Sequence, residues 1–321
     1  MPTDERALAR AAERYGDMLR TRREQAAARL GEASARDPRI AEIADEMRLS
    51  GLAAVRAAMD DTPEAAQSRV KEIAARNLTL QQERARRLTA LGYPEDYLYA
   101  GPFCPRCGDT GYDGGRLCGC FRPFYVEALC TQLDEALGKA CPAFDEGLFE
   151  NAGAVEDPRR FLERCRQYAS QLGRGAGSLL VRGGTGSGKT MLAAYIAREA
   201  ARLGAEVLYV RAPDYFALRE EERFRRDEVA GAEAARYRRC TALVLDDLGL
   251  ETQSAGSPAE LLSLLNARET AQLPTILCTP LTAGQLEQRY SAAAASRIEN
   301  GFAAVELRSG DIRRAFRPNG F

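Results

Sequence analysis

The octapeptide GGTGSGKT, Gly183 to Thr190, constrains this chain more than any other stretch. It follows the apolar run SLLV (Ser178 to Val181) and precedes the helix-forming pattern MLAAYIAREAARLG, so a strand, a glycine-rich loop and a helix succeed one another. That order is what a P-loop requires. Gly183, Gly184, Thr185, Gly186, Ser187 and Gly188 can turn successive backbone N–H groups towards the phosphates of ATP, and the helix N-terminus adds partial positive charge. Lys189 reaches the outer phosphates and Thr190 offers its hydroxyl to Mg2+. The bland alternative is a glycine-rich turn with an incidental Lys-Thr. Composition weighs against it, because only three lysines (Lys71, Lys139 and Lys189) stand among 45 basic residues.

A length of 321 residues with 45% hydrophobic content leaves room for several domains and for a core that needs no disulfides. A net charge of −1 excludes a bulk electrostatic nucleic-acid binder while leaving local patches open. No run of eighteen apolar residues occurs, and MPTDERALARAAERYG is charged throughout rather than signal-like. The expectation is a cytoplasmic protein with no membrane partner. Nine cysteines in that compartment point to metal ligands or reduced core thiols. The absence of histidine removes imidazole catalysis and imidazole metal ligands together.

Residues 1–95 read as helices. Leu8, Ala11, Tyr15 and Met18 recur at helical spacing, Asp37-Pro38 starts a second helix bearing Ile40, Ile43 and Met47, and Thr62-Pro63 starts a third that Gly92 and Pro94 stop. Their apolar faces are thin and alanine-rich, which suits docking on a partner or on a second copy, or a short bundle with solvated Arg/Glu faces. In residues 96–125, Cys104, Cys107, Cys118 and Cys120 form CxxC, a ten-residue gap rich in glycine, and CxC. Two thiolate pairs at that spacing can wrap one tetrahedral Zn2+ in a closed, structural knuckle; reduced structural thiols or a redox CxxC are the other readings. Residues 126–156 read as a helical linker interrupted at Cys141-Pro142, and 157–321 as an ATPase domain opened by an amphipathic helix from Asp157 to Leu172. Cys130, Cys141, Cys165, Cys240 and Cys278 read as buried small hydrophobes.

Four more apolar runs follow the P-loop strand at intervals that hold helices: Glu206 to Val210, Thr241 to Asp247, Pro274 to Thr279 and Ala303 to Leu307. Strands alternating with helices indicate an α/β fold with a parallel, doubly wound sheet. Ser257, Pro258 and Glu260 look like a capping box at the start of one of those helices. Ligands in such sheets bind at the carboxyl edge. Asp246, ending the run LVL, is therefore placed to hold Mg2+, and Asp247 to orient or deprotonate the attacking water; a plain helix cap is the alternative.

The segments GGTGSGKT, LVLDDLG, LLNARETAQLPTILCT and SRIENG followed by GDIRR resemble, in that order, the DnaC/DnaI-type helicase-loader branch of the AAA+ ATPases. That branch also includes the ATPase helpers of some transposons. The resemblance covers about residues 145 to 315 and implies an AAA+ type domain that binds ATP between neighbouring subunits and hydrolyses it slowly. Arg297 matches the arginine finger, which reaches the next subunit's γ-phosphate, and Arg313 matches the sensor 2 arginine. A guanidinium in either place would stabilise charge spread over the phosphoryl oxygens. The sequence departs from the family at two points. The polar sensor 1 position falls at or beside Pro280, where only Thr279 could substitute, and Ala293 stands where a second arginine is often found. Both changes bear on hydrolysis more than on binding.

In related ATPases an extra helix between the second and third strands of the domain lines a path for single-stranded DNA. Here Arg223, Arg225, Arg226, Arg238 and Arg239 with Phe224 and Tyr237 offer cations and stacking faces, while Glu220, Glu221, Glu222, Asp227 and Glu228 nearly cancel the charge. The leading expectation is a loader of a hexameric replicative helicase that self-associates through its ATPase domain. A transposition helper ATPase, an ATP-binding adaptor without turnover and a small-molecule phosphotransferase are the competing readings.

Overall fold

A computed structural model of the chain describes residues 4–60, 62–98, 101–138, 141, 155 and 157–308. By compactness it divides into two units, Glu13–Cys120 and Met1–Ala12 together with Phe121–Phe321.

Three long helices dominate the first unit: α1 (Glu5–Arg36), whose start belongs to the second unit, α2 (Arg39–Asp60) and α3 (Pro63–Ala90). α2 begins where expected, because the Asp37 carboxylate accepts from Arg39 N at 3.1 Å. Its inner face is thin. Ala33, Ile40, Leu88 and Leu98 form a small core, finished by Leu30, Leu91, Tyr93 and Tyr97. Polar ties supplement it: Arg39 bonds Glu83 and Glu46, and the stacked Tyr93 and Tyr97 rings donate both hydroxyls to Glu32. Farther along α2, Leu49, Leu52, Val55 and Met59 make a stripe, each more than half exposed. The unit ends in a miniature antiparallel hairpin, β1 (Tyr112–Asp113) and β2 (Arg116–Leu117), between the two cysteine pairs.

In the second unit α4 (Arg122–Leu137) and α5 (Pro158–Gln171) precede the sheet; Asp157 caps α5 by accepting from Arg160 N. Then come β3 (Ser178–Gly183), α6 (Lys189–Arg202), β4 (Val207–Arg211), α7 (Ala212–Arg225), α8 (Glu228–Arg239) and β5 (Ala242–Asp246). The chain continues through α9 (Ser257–Thr270), β6 (Thr275–Thr279), α10 (Ala283–Arg289), α11 (Ala292–Gly301) and β7 (Phe302–Leu307). Five strands pair in parallel in the order β4-β5-β6-β3-β7. Leu243 and Leu245 of β5 and Leu277 of β6 turn to one face, against Tyr215, Phe216, Leu261, Leu264, Leu265 and Ile298. Alternate residues turn to the other face, where α6 lies along β3, β6, β5 and β4. Strands β3 to β6 are thus covered on both sides, which explains why they read as nearly unbroken apolar runs, while β7 at the edge stays largely exposed.

The capping box expected at Ser257 does not form. Gly256 takes the cap position with no side-chain bond, and Glu260 is instead engaged by Tyr215, Arg219 and Arg238. Three donors, two of them cationic, outweigh one backbone N–H. A true capping box sits at Thr282 and Gln285 instead. Arg268, in the NARET segment, is 1% exposed and bonds Thr275 Oγ1 and the carbonyls of Tyr237, Cys240 and Pro274 at 2.7–3.1 Å. Burial lowers its pKa. The residue works as an internal tie between α9, the start of β6 and the turn before β5. No helix among the described residues is long and apolar enough to cross a membrane.

Candidate nucleotide-binding site and cysteine cluster

β3 delivers Gly183 to the carboxyl edge of the sheet, and the loop closes into α6 at Lys189. A Cβ on Gly183 would stand 2.6 Å from Ser187 Oγ and 2.8 Å from Leu307 O, so nothing larger fits there. Gly188 caps α6 with φ 94°, the left-handed region that glycine enters without penalty. Lys189 is buried, and its ammonium donates to Gly183 O at 2.9 Å and Gly184 O at 2.8 Å, which holds the charge against the loop. Thr190, half-buried, follows in the first turn of the helix.

Asp246 ends β5 with no exposed surface. Because β6 lies between β3 and β5, Asp246 and Gly183 share one edge two strands apart, roughly 10 Å at the usual strand spacing. A phosphate chain with its cation spans that distance. Asp246 accepts from the Tyr209 hydroxyl and from Asp247 N, both at 2.9 Å. Asp247 has φ 57°, a left-handed backbone rarely taken by a residue with a side chain, and its carboxylate lies 3.5 Å from Arg211 Nε. Tyr209 is a site residue that periodicity could not reveal, since only the pairing of β4 with β5 brings it beside Asp246. Burial, and then the charge of Asp246, hold its hydroxyl above the ordinary phenol range, so it stays a donor. Cys278 on β6 packs against the start of α6, its Sγ 3.8 Å from Lys189 O, and burial followed by Asp246 raises its pKa.

Thr279, which could have stood in for a polar sensor, is fully buried; it donates its hydroxyl proton to Leu248 O at 2.7 Å and accepts from Leu281 N. That proton is committed to the loop after β5. Arg297 is not brought together with Lys189, Asp246 and Asp247. It lies on α11, ion-paired with Glu269 of α9, and lines a cavity of about 310 Å3 with Ser178, Pro274 and Thr275, the amino ends of β3 and β6. One strand length, roughly 20 Å, separates it from the P-loop of its own chain. Ala293 is exposed on the same helix. Arg313 lies outside the described residues.

Among the residues expected to meet single-stranded DNA, Tyr237 packs edge-on against Tyr215, and Arg238 bonds Glu260 and Ser263. Both are taken up internally. Arg223, Phe224, Arg225 and Arg226 are exposed together at the end of α7, with the Arg223 guanidinium 5.9 Å from the Phe224 ring centre.

The four thiols of Cys104, Cys107, Cys118 and Cys120 converge, all Sγ atoms lying within 4.8 Å of one another. Cys104 and Cys118 are 3.8 Å apart and Cys107 and Cys120 3.4 Å, too far for a disulfide. Four sulfurs about 2.3 Å from one tetrahedral ion stand about 3.8 Å from each other, so the cluster fits Zn2+. The loop geometry supports the sulfurs: Gly108 N donates to Cys104 O, Cys118 N to Gly111 O, and Asp109 accepts from Phe103 N and Cys104 N. Burial opposes ionisation of Cys107, but the Gly111 N–H and the neighbouring thiols outweigh it and lower its pKa to about 6. Of the other five cysteines, Cys141, Cys165, Cys240 and Cys278 are buried and Cys130 is half-buried.

Comparison with curated proteins yields no match. Among solved structures the chain is similar to DnaI, at 22% identity over 51% of this chain and 94% of that one, with a TM-score of 0.43. It is also similar to the DnaC helicase loader, at 19% identity over 50% of this chain and 98% of that one, TM-score 0.42. A third similar structure is DnaA from Aquifex aeolicus bound to AMPPCP, at 24% identity over 52% of this chain and 51% of that one, TM-score 0.43. An α/β fold with a parallel sheet covered by helices and a P-loop, preceded by a helical region, is the architecture expected from the sequence. Residues 168–297, from α5 through the P-loop and Asp246 to Arg297, match the family described as IstB-like ATP binding protein, and over that segment the chain is similar to it.

Proposed function

We propose that the protein is an ATP-dependent loader of a hexameric replicative DNA helicase, a cytoplasmic assembly switch that hydrolyses ATP slowly. The observation that carries the reading is the pairing of a complete P-loop edge with an arginine at the opposite end of the same sheet. Lys189 and the loop N–H groups bind the triphosphate, Thr190 and Asp246 hold Mg2+, and Asp247 orients water. Mg2+ neutralises charge on the β- and γ-phosphates when bound. Because Arg297 is a strand length away from its own P-loop, it serves the nucleotide of a neighbouring copy, and the ATPase is completed by self-association. Arg313 would add a second guanidinium. With the Thr279 proton committed to Leu248 O, no hydroxyl on β6 offers a proton to the phosphate, which suits slow turnover.

The helical unit supplies the partner contact. Leu49, Leu52, Val55 and Met59 form an apolar stripe on α2 of the width a helix-in-groove contact uses, and the cysteine knuckle, closed by four thiolates on Zn2+, is structural. Arg223, Phe224, Arg225 and Arg226 give single-stranded DNA cations and one stacking face. The decisive experiment is co-purification of the full chain with the cognate replicative helicase, with and without ATP. Retention that depends on nucleotide is expected; no retention under either condition ends the loader reading. A second reading, a transposition helper ATPase, is favoured by the IstB-like match itself. It gains the argument if ATP turnover rises with a transposase and its DNA but not with the helicase.

A further inference from the structure

α1 brings one side chain to the cysteine cluster that the four-ligand description omits. Tyr15 is 4% exposed, and its hydroxyl lies 3.3 Å from Cys120 Sγ. Its ring meets Phe103, the residue before Cys104, edge-on with centroids 6.5 Å apart. Two turns farther along the same helix, Arg22 sits 5.2 Å from the centre of the Phe103 ring. The helix therefore grips the knuckle at both cysteine pairs, by a hydrogen bond at Cys120 and by ring packing at Cys104. Asp109 and the backbone amides serve the first pair, but none of those bonds reaches Cys120.

We propose that Tyr15 is a positioning residue of the metal site: its hydroxyl donates to the Cys120 sulfur, so that metal binding and the docking of α1 on the knuckle are one coupled equilibrium. The proposal rests on the zinc reading of the four cysteines. A metal-bound thiolate keeps lone pairs that need partners, and in a cluster half withdrawn from solvent protein donors supply part of them. A phenol presented by a rigid helix is such a donor. It orients the sulfur and offsets the negative charge that four thiolates leave on a divalent ion. By linkage, whatever factor Tyr15 adds to metal affinity, bound metal adds to the seating of α1.

The test loads the full chain with Co2+ and compares it with Tyr15→Phe and Phe103→Leu. Wild type should give the visible spectrum of tetrahedral four-sulfur cobalt. Tyr15→Phe, which keeps the ring and loses only the hydroxyl, should shift the sulfur-to-cobalt charge-transfer band to lower energy. It should also weaken Zn2+ about 10-fold in chelator competition, the lower end of the effect of losing such a partner. Phe103→Leu should leave the band where it is, because it alters packing alone. An unshifted band and unchanged Zn2+ affinity in Tyr15→Phe overturn the proposal, as does an equal shift in Phe103→Leu. If wild type itself takes up no cobalt in a four-sulfur site, the zinc reading fails and the role of Tyr15 falls with it; a normal wild type with an indifferent Tyr15→Phe sinks only the latter.

Discussion

Two neighbouring carboxylates at the end of β5 have different surroundings, and under the proposed function those surroundings divide the work between them. Asp246 is enclosed and held by Tyr209 and by Asp247 N, so its geometry is fixed for a cation, whereas Asp247 sits on a left-handed backbone with part of its side chain in solvent. Lys189→Ala should abolish ATP binding in equilibrium dialysis, while Asp247→Asn should bind ATP normally and lose about 100-fold in turnover, the usual size of one transition-state contact. Asp4 gives a second residue-scale prediction. It caps α1 by accepting from Ala7 N at 2.7 Å and pairs with Arg236 at 2.7 Å. Burial pushes its carboxyl up, but the Ala7, Arg236 and Gln132 bonds outweigh it and hold the pKa below the ordinary aspartate value. With the folded pKa depressed, its contribution is complete above about pH 4 and fades as pH falls through the lower, folded value. Asp4→Ala should lower unfolding stability in urea by about 2 kcal/mol at pH 7, and by less below pH 3.

At the scale of elements, much of the fold was legible and the exceptions share a cause. The P-loop, the acid pair, the cysteine spacing and the five apolar strands are local patterns, each contained in a run of sequence that carries its own signal. Tyr209, Asp4 and Glu260 take their roles from partners far along the chain, on β5, α8 and α7, and no window of sequence displays those pairings. The same blindness affected the α7–α8 insertion, where a list of cations and aromatics gave no hint that Arg238 and Tyr237 turn inward. What remains outside is the end of α7, together with Arg239 at the end of α8. Arg223→Ala with Phe224→Ala should therefore weaken single-stranded DNA binding about 10-fold in fluorescence anisotropy, in line with one stacked base and one lost cation. Arg238→Ala should disturb stability instead, through the Glu260 cluster.

For the whole molecule, the distance between Arg297 and the P-loop of its own chain sets the expectation. Arg297→Ala should bind ATP as wild type does yet lose about 1,000-fold in turnover, the lower range for an arginine supplied in trans. Lys189→Ala is dead for the complementary reason. Mixing the two inactive variants should restore part of the activity, since one interface in a mixed assembly can pair an intact P-loop with an intact Arg297. Turnover that stays absent at every mixing ratio would place the arginine outside the reaction.

The pairing of Asp4 with Arg236 also orders events in time. The two residues are 232 positions apart, as the first turn of α1 seats on a surface made of α4 and α8. At ribosomal rates of 5–20 residues per second, residue 4 waits roughly 10–50 s for its counterpart to be synthesised. The Glu13–Cys120 unit has no such delay, its contacts being complete once Cys120 is made. The nascent chain thus finishes the Glu13–Cys120 unit first, and the opening residues of α1 are held in reserve until the two helices that they seat on have arrived.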